Sequence, residues 1–314
     1  MRRTAVLGLA SGILLHAACA GKAIRPAVPP PTPEEMAQFW VEPADLSSRD
    51  LFWGPGGREH APRPDERWEF LERDNKTWGF SPGFDVKDSR GITWSVKQGP
   101  EAQSEIVASR LLWAIGYHQP ATYYVRQWTM HGERWAGPKD AARFRPNLPW
   151  MDRKGGWSWH DGPFTGTQPW RGALVMMALL GNSDLKPSQN TIYELDRPRE
   201  GARRWYVMRD VGQAFGESGM IWPKRNDIDA WEKEPFLEGL REDGTVRFNY
   251  SGLWKELFRN LRPDDVRWAA ERLARISDRQ LEDAFRAAEY EPELAQRFIR
   301  RLKEKIAEGL ALKG

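Results

Sequence analysis

The sequence predicts an α+β fold of two lobes, in which a small β-sheet lobe precedes a mainly helical lobe. Between Phe80 and Trp135, β-branched and aromatic residues alternate with polar ones in short runs that are separated by turn residues. From Pro169 to the C-terminus, apolar residues recur mainly at helical spacing. Strands and helices that are segregated along the chain in this way are typical of the α+β class.

Residues 1–19 have the layout of a secretory signal. Arg2 and Arg3 precede an apolar run, Ala5 to Leu15, that is too short to span a bilayer. Cys19 stands where a bacterial lipoprotein signal places its acylated cysteine, although His16 occupies a position that is usually aliphatic. We therefore expect export and lipid anchoring at the bacterial cell envelope. Cleavage without acylation, which gives a soluble periplasmic or secreted protein, is the alternative.

Residues 20–66 are expected to form a tether and arm outside the core. Five prolines between Ile24 and Glu35 favour extended backbone. Proline, glycine and charged residues dominate from Val41 to Arg67 as well. The first packed element is therefore expected after this stretch.

The overall composition indicates a globular body that is stabilised by packing alone. Hydrophobic residues make up 40% of the chain, which is enough to bury one large core or two lobes. The single cysteine excludes an intrachain disulfide. The net charge of +3 is too small to indicate a nucleic-acid partner.

The predicted sheet lobe, residues 67–136, begins with a β-hairpin that ends at Lys97. Its first strand lies near residues 78–88, a turn signal follows, and residues 92–97 alternate as a strand does. Gly79 and Gly83 would let the preceding turn approach a phosphate closely, and an ordinary turn is the alternative.

A helix is predicted directly after this strand, from Glu101 to Ile115. Glu101 and Glu105 share a helix face because they lie four residues apart, so either can meet Lys97. Favourable acidic charge near a helix N-terminus is the alternative explanation for both. A strand is expected over residues 120–128.

Residues 137–314 are predicted to hold an insertion and the helical lobe. The stretch from His131 to Thr167 has no recognisable period, and a helix is expected from Pro169 to Leu180. Residues 191–195 and 205–209 predict a hairpin. Three C-terminal helices are predicted to follow. The first covers 263–276, the second begins after a capping box at 277–280, and the third covers 292–312.

The polar loop before this hairpin carries residues that suit phosphoryl transfer from ATP with Mg²⁺. Asp184 and Asn190 lie on the loop, and Asp210 follows the hairpin. One carboxylate can orient the attacking hydroxyl, while an amide and a second carboxylate hold the metal through hard oxygen ligands. A turn that Asp184 and Asn190 merely stabilise is the alternative.

The stretch from Ser183 to Asn190 resembles the catalytic loop of the protein-kinase-like superfamily, and Asp210-Val211-Gly212 resembles its metal-binding Asp-x-Gly. The segment Gly181 to Asp184 is most similar to the atypical HipA-like and phosphatidylinositol-kinase-like branch. The similarity covers roughly residues 80–216. It implies a bilobal protein-kinase-like fold, with a small β-sheet N-lobe and a mainly helical C-lobe, and ATP and Mg²⁺ as cofactors.

The resemblance also implies a role for each residue of the motif. Lys97 would contact the nucleotide phosphates and be oriented by Glu105, with Glu101 as the less favoured partner. Gly79 and Gly83 would lie against the nucleotide. Asp184 would be the carboxylate that orients the acceptor. Asn190 and Asp210 would be the two Mg²⁺ ligands. The acceptor would be a protein or another envelope component that the sequence does not identify.

One spacing departs from the family pattern. Asp184 and Asn190 are six residues apart where the family usually has five, and Gln189 occupies the expected position. The extra residue can bulge out, Gln189 can take a polar role, or the loop can be inactive. Export raises a second difficulty, because little ATP is found outside the cytoplasm. Two functions therefore stay open: an exported, membrane-tethered atypical kinase and a catalytically inactive kinase-like binding module.

Overall fold

The structure is a computed structural model that describes residues 24–26, 29–73, 82–132, 135–219 and 224–314. Over these ranges the chain has a mixed α+β fold of seven α-helices and twelve strands, arranged in one seven-stranded sheet and two smaller sheets. The α+β class predicted from the sequence is confirmed. Within the described ranges, no helix combines the length and the apolar character that crossing a membrane requires.

The large sheet is built from the N-terminal half of the chain. Its strands are β1 Trp68–Arg73, β2 Gly83–Lys87, β3 Thr93–Gln98, β4 Tyr123–Val125, β5 Trp128–His131, β6 Gly137–Lys139 and β7 Ala142–Pro146. Their order across the sheet is β4-β7-β3-β2-β1-β5-β6. Neighbouring strands run antiparallel, except that β1 and β5 are parallel.

This sheet curls round its own core. Only two residues join β4 to β5, although four strands lie between them in the sheet order. In a flat sheet those strands would be roughly 24 Å apart, whereas a two-residue connection spans about 11 Å. Phe144 of β7 accordingly meets Trp68 and Trp128, with ring centroids 4.5 and 5.1 Å apart, inside the curl.

Helix α2, Glu101–Ala114, lies between the sheet and the helical part of the molecule, and follows the four-residue helix α1, Pro33–Met36. It packs against β3, β4 and β7 on one side and against a C-terminal helix on the other. Ile106, Leu111 and Leu112 are fully buried as a result. Helix α2 therefore packs between the strand that carries Lys97 and the C-terminal helical part.

A small sheet and a helix flank the polar loop. Strands β8 Met151–Gly155, β9 Asn190–Arg199 and β10 Ala202–Met208 form an antiparallel sheet of order β10-β9-β8. Helix α3, Gln168–Leu180, starts at the side-chain cap of Thr167 and ends at Gly181, whose φ of 73° suits glycine. The loop then reaches β9 through a 3-10 turn, Pro187–Gln189.

The C-terminal part is helical, as predicted. It contains α4 Ile228–Lys233, the hairpin β11 Leu237–Leu240 and β12 Val246–Phe248, and the helices α5 Pro263–Ala274, α6 Asp278–Ala287 and α7 Pro292–Ala311. The Ser277 side chain and the Gln280 side chain cap α6 reciprocally, which confirms the predicted capping box. The predicted helices match α2, α3, α5, α6 and α7.

Two expectations about chain organisation are wrong. The arm was expected to lie outside the core, but Phe39, Leu46 and Leu51 are buried in the largest hydrophobic cluster. Single apolar residues among prolines and charges are sufficient for this docking, and composition hides them. The strand predicted over 120–128 is also two strands, because the chain bends after Val125 and joins the other side of the sheet.

Candidate functional site

Lys97 lies on β3 beside the N-terminus of α2. Its Nζ is 2.7 Å from Glu101 Oε2, and Glu101 also pairs with Arg225. The direct ion pair thus falls on Glu101, the less favoured partner at the sequence level, because Lys97 directly precedes the first turn of α2. Burial by itself lowers the pKa of Lys97, but Glu105, Asp210 and Glu101 together raise that pKa above its ordinary value.

Glu105 lies one turn further along α2 and faces two arginines of β7 instead. Its Oε1 is 3.1 Å from Arg143 Nε and 2.9 Å from Arg145 Nη2. Burial opposes ionisation, yet the two guanidinium groups hold the pKa of Glu105 below its usual range. Glu105 therefore makes no direct ion pair with Lys97, contrary to the predicted orientation of Lys97 by Glu105. It acts on Lys97 only through its charge, which raises the pKa of the lysine.

Asp210 approaches this cluster from the end of β10. Its backbone has φ of 53°, in the left-handed region that non-glycine residues rarely adopt. Its Oδ1 lies 3.6 Å from Arg145 Nη2 and 3.8 Å from Arg143 Nη2. Burial would raise the pKa of Asp210, but Lys97 and the nearby arginines lower it far below the ordinary range. Asp210 is therefore ionised at any physiological pH.

Asn190 and Asp210 lie at the same end of the β9–β10 hairpin because of its register. Asn190 pairs with Met208, two residues before Asp210, and the Arg209 side chain donates to Thr191 Oγ1. The Asn190 amide nitrogen donates to the Trp157 carbonyl, which leaves its side-chain oxygen for another partner. The amide and the carboxylate that the sequence predicts as metal ligands thus lie at one end of one hairpin.

Asp184 lies on the loop between α3 and β9. Its Oδ2 accepts hydrogen bonds from Gln189 Nε2 at 2.8 Å and from Lys186 Nζ at 3.0 Å. Its Oδ1 is buried and has no hydrogen-bond partner. Gln189 therefore orients one Asp184 oxygen, and a 3-10 turn, Pro187–Gln189, lies directly before Asn190.

Of the two glycines and the cysteine in the predicted site, only Gly83 lies within the described residues. Gly83 begins β2 and lies directly opposite Lys97 in the β2–β3 register. Gly79 and Cys19 lie outside the described residues. Gly212 makes a close approach that the sequence did not indicate: a Cβ there would be 2.7 Å from the Glu101 carbonyl oxygen. The glycine of Asp210-Val211-Gly212 therefore lets this segment reach the start of α2.

Three arginines at the centre of the site were missed at the sequence level. Arg143 and Arg145 lie in β7, inside the stretch that gave no recognisable period, and Arg209 precedes Asp210. The signal was the alternation Ala142-Arg143-Phe144-Arg145-Pro146, which places both arginines on one face of a strand. Buried charges in the middle of a sheet are uncommon, and this made the segment look like loop.

The described residues contain no group of three His, Cys, Asp or Glu side chains that could hold a metal by themselves. A surface groove of about 700 Å³ lies elsewhere, lined by residues 62–66, 68, 125–129 and 138–141, and none of the charged side chains of the candidate site lines it.

Comparison with known proteins does not assign the chain to a family. No protein-family model matches it, and no curated protein is similar enough in sequence to be matched with it.

Proposed function

We propose that this chain is an atypical kinase of the protein-kinase-like superfamily, with a sheet N-lobe and a helical C-lobe that meet around α2. The observation that carries the proposal is the convergence of Lys97 from β3 with Asp210 from the end of β10. Asp210 is one of three carboxylates, after Glu105 and before Glu101, that raise the pKa of Lys97, and Lys97 is the first of the cations that lower the pKa of Asp210. Phosphoryl transfer depends on positioned charge of this kind.

The residues fit Mg²⁺ and ATP as cofactors. Mg²⁺ is usually held by one or two protein oxygens together with phosphate oxygens and water, so a two-residue site suits it. Asp210 supplies a carboxylate and Asn190 a side-chain oxygen, and no third acidic or histidine ligand is needed. When bound, ATP with Mg²⁺ would supply the phosphoryl group and neutralise its developing charge.

Each side chain then has a defined task. Lys97, held by Glu101, would donate to phosphate oxygens, with Gly83 across the strand pair and Gly79 in the preceding turn. Asp184 would accept a hydrogen bond from the acceptor hydroxyl, while Lys186 and Gln189 fix its Oδ2. An oriented carboxylate of this kind positions the nucleophile more than it removes a proton.

The proposed setting is the bacterial cell envelope, with an anchor on acylated Cys19 and an unidentified protein or envelope acceptor. A soluble periplasmic or secreted form is the alternative setting. The signal layout of residues 1–19 supports export.

The proposal is tested by transfer of labelled phosphate from ATP in the presence of Mg²⁺ to envelope proteins and lipids. We expect transfer by the wild type and at least a hundredfold loss in Asp184→Ala and in Asp210→Ala. Lys233→Ala, an exposed lysine outside the site, is the control and should transfer normally. Wild-type rates in Asp184→Ala would show that its assigned role is wrong.

A binding module without catalysis is the second candidate. The observation that favours it is the surroundings of Asp210, where Arg143 and Arg145 already compensate the charge that a metal would neutralise. This candidate predicts a thermal shift with ATP that is indifferent to Mg²⁺ and to Asp210→Ala, with no transfer. A shift that requires both Mg²⁺ and Asp210 would favour the kinase.

A further inference from the structure

The arginines of the site form a cationic cluster of their own. Arg143 and Arg145 project from the same face of β7, and Arg143 lies opposite Lys97 in the β3–β7 register. Both arginine side chains are only 3% exposed. Arg209 reaches the same region from the end of β10, and its charge acts on Asp210.

These guanidinium groups have more donors than the protein uses. Arg145 binds Glu105 through Nη2, but its Nε and Nη1 are buried and have no hydrogen-bond partner. Arg209 donates through Nη1 to Thr191, while its Nε is buried without a partner. Unsatisfied buried N–H groups are costly, and several within one cluster indicate a missing acceptor.

The charges of the cluster are also unbalanced. Five cationic side chains face four carboxylates on this side of the large sheet, which leaves an excess of one positive charge among the described residues. The cations are Lys97, Arg143, Arg145, Arg209 and Arg225, and the carboxylates are Glu101, Glu105, Asp210 and Asp85, which lies on the same sheet face in the β2–β3 register. Burial, followed by repulsion from Arg145, lowers the pKa of Arg209 to about 10 and also lowers that of Arg143. An arginine stays charged at neutral pH, so the excess cannot be removed by deprotonation.

We propose that Arg143, Arg145 and Arg209 form a site that binds a phosphate dianion directly, without a divalent cation. The planar guanidinium fork matches phosphate oxygens, and an anion offsets the excess positive charge of the cluster. The bound phosphate belongs either to the nucleotide or to a phosphorylated acceptor. Only the identity of the phosphate source rests on the proposed function. The unpartnered donors and the excess positive charge are present whichever source supplies the phosphate.

The test uses isothermal titration of the full chain with sodium pyrophosphate in EDTA. We expect the wild type to bind, and Arg209→Gln and Arg145→Lys to bind about tenfold more weakly or worse. Arg300→Gln is the matched control, since it removes one exposed arginine of α7. If Arg145→Lys does not fold, Arg209→Gln decides the matter, because that side chain is only partly buried.

Asp210→Asn separates this inference from the kinase proposal. Removing the carboxylate removes repulsion toward the anion, so pyrophosphate should bind this variant more tightly in EDTA, whereas Mg²⁺-dependent transfer should be lost. No binding by the wild type in EDTA, weaker binding by Asp210→Asn, or equal binding by Arg209→Gln and Arg300→Gln would each overturn the phosphate site. Binding without any transfer by the wild type would overturn only the kinase.

Further arms of the same titration identify the source of the phosphate. Tighter binding of ADP and pyrophosphate than of phosphoserine would assign the site to a nucleotide phosphate. The reverse order would assign it to an acceptor that already carries a phosphate. Either order supports the arginine site, and failure of all of these probes to bind in EDTA would overturn it.

Discussion

Lys305 of α7 places an ammonium group inside the helical core. The residue is fully buried, its Nζ has no hydrogen-bond partner, and it lies 4.5 Å from the Trp231 ring centroid. Burial and then the charge of Arg301 lower its pKa to about 7, against the partial compensation of Glu234 and Glu308. In the unfolded chain, the same group titrates near pH 10.4.

The sign of the resulting pH dependence follows from proton binding. Between about pH 7 and 10, the unfolded chain holds a proton on Lys305 that the folded chain has lost, so folding stability rises with pH in that window. We expect Lys305→Met to be about 1–3 kcal/mol more stable than the wild type at pH 7, with a smaller difference at pH 9. Urea unfolding at both pH values measures this.

Lys303→Met is the control for that prediction, because Lys303 lies on the same helix and is exposed. Its effect should be small at both pH values. A stability difference between Lys305→Met and the wild type that did not change with pH would show that the buried amine does not titrate in this window.

Glu101 and Glu105 should differ in their contribution to stability. Glu105 is buried between Arg143 and Arg145, so Glu105→Gln leaves two buried guanidinium groups without their carboxylate and should cost about 3–5 kcal/mol. Glu101→Gln should cost less, since its partner Lys97 is 21% exposed and can regain water. Urea unfolding of the two variants compares them directly. An equal or larger loss in Glu101→Gln would contradict this ranking.

The sequence indicated some site residues and not others for a physical reason. Asp184, Asn190 and Asp210 could be named because their types and their order along the chain suggest a metal-dependent transfer. Arg143 and Arg145 could not be placed, because their role depends on β7 pairing with β3, and that pairing joins segments far apart in sequence. The choice between Glu101 and Glu105 likewise depends on how α2 is rotated against the sheet.

The helices and hairpins that could be predicted from the sequence are those that interactions between nearby residues stabilise. Helices α2, α3, α5, α6 and α7 have periodic apolar faces or end signals, and the β2–β3 and β9–β10 hairpins have short polar turns. Sheet order is decided by distant pairings, so neither the position of β7 between β3 and β4 nor the parallel pairing of β1 with β5 could be predicted. The curl of the sheet depends on both.

The contact between the β10 end and α2 should be sensitive to one methyl group. A Cβ at Gly212 would lie 2.7 Å from the Glu101 carbonyl oxygen and 2.8 Å from the Glu101 Cβ, so one backbone must shift. We expect Gly212→Ala to lower stability by about 1–3 kcal/mol and to displace Glu101 from Lys97. Thermal or urea unfolding gives the stability change.

Gly155→Ala provides the comparison for Gly212→Ala. A Cβ at Gly155 would meet no atom within 4 Å, so this variant should unfold like the wild type. If the two alanine variants were equally stable, the close approach between Gly212 and α2 would not constrain the molecule.

At the scale of the whole molecule, the membrane prediction concerns Cys19, which lies outside the described residues. If Cys19 is acylated, Cys19→Ser should move the protein from the membrane fraction to the soluble fraction and leave its melting temperature nearly unchanged. The physical reason is that the acyl chains, and not the folded body, supply the membrane affinity. Retention of the variant in the membrane would point to the signal segment or to the basic residues of α7.

Part of the stretch that the sequence predicts as a tether is packed against the folded body. The stretch to residue 66 is expected from the sequence to form a tether and arm outside the core, but the Arg25 amide already donates to the His160 carbonyl at 2.6 Å, and Ile24 packs against the main core. Five backbone steps separate Cys19 from Ile24, and they span less than about 20 Å even when fully extended. An acylated chain would therefore hold the body close to the headgroups.

A quenching experiment measures this distance. Acylation consumes the native cysteine, so Asp161→Cys, which is exposed beside His160, gives one free thiol for a fluorophore. Vesicles that carry headgroup quenchers should quench this label in the anchored protein. Inserting about 20 Gly and Ser residues after Gly21 should relieve the quenching, because a flexible linker of that length adds roughly 25 Å of mean reach. Equal quenching with and without the insertion would show that the body is held at the membrane by something other than its short tether.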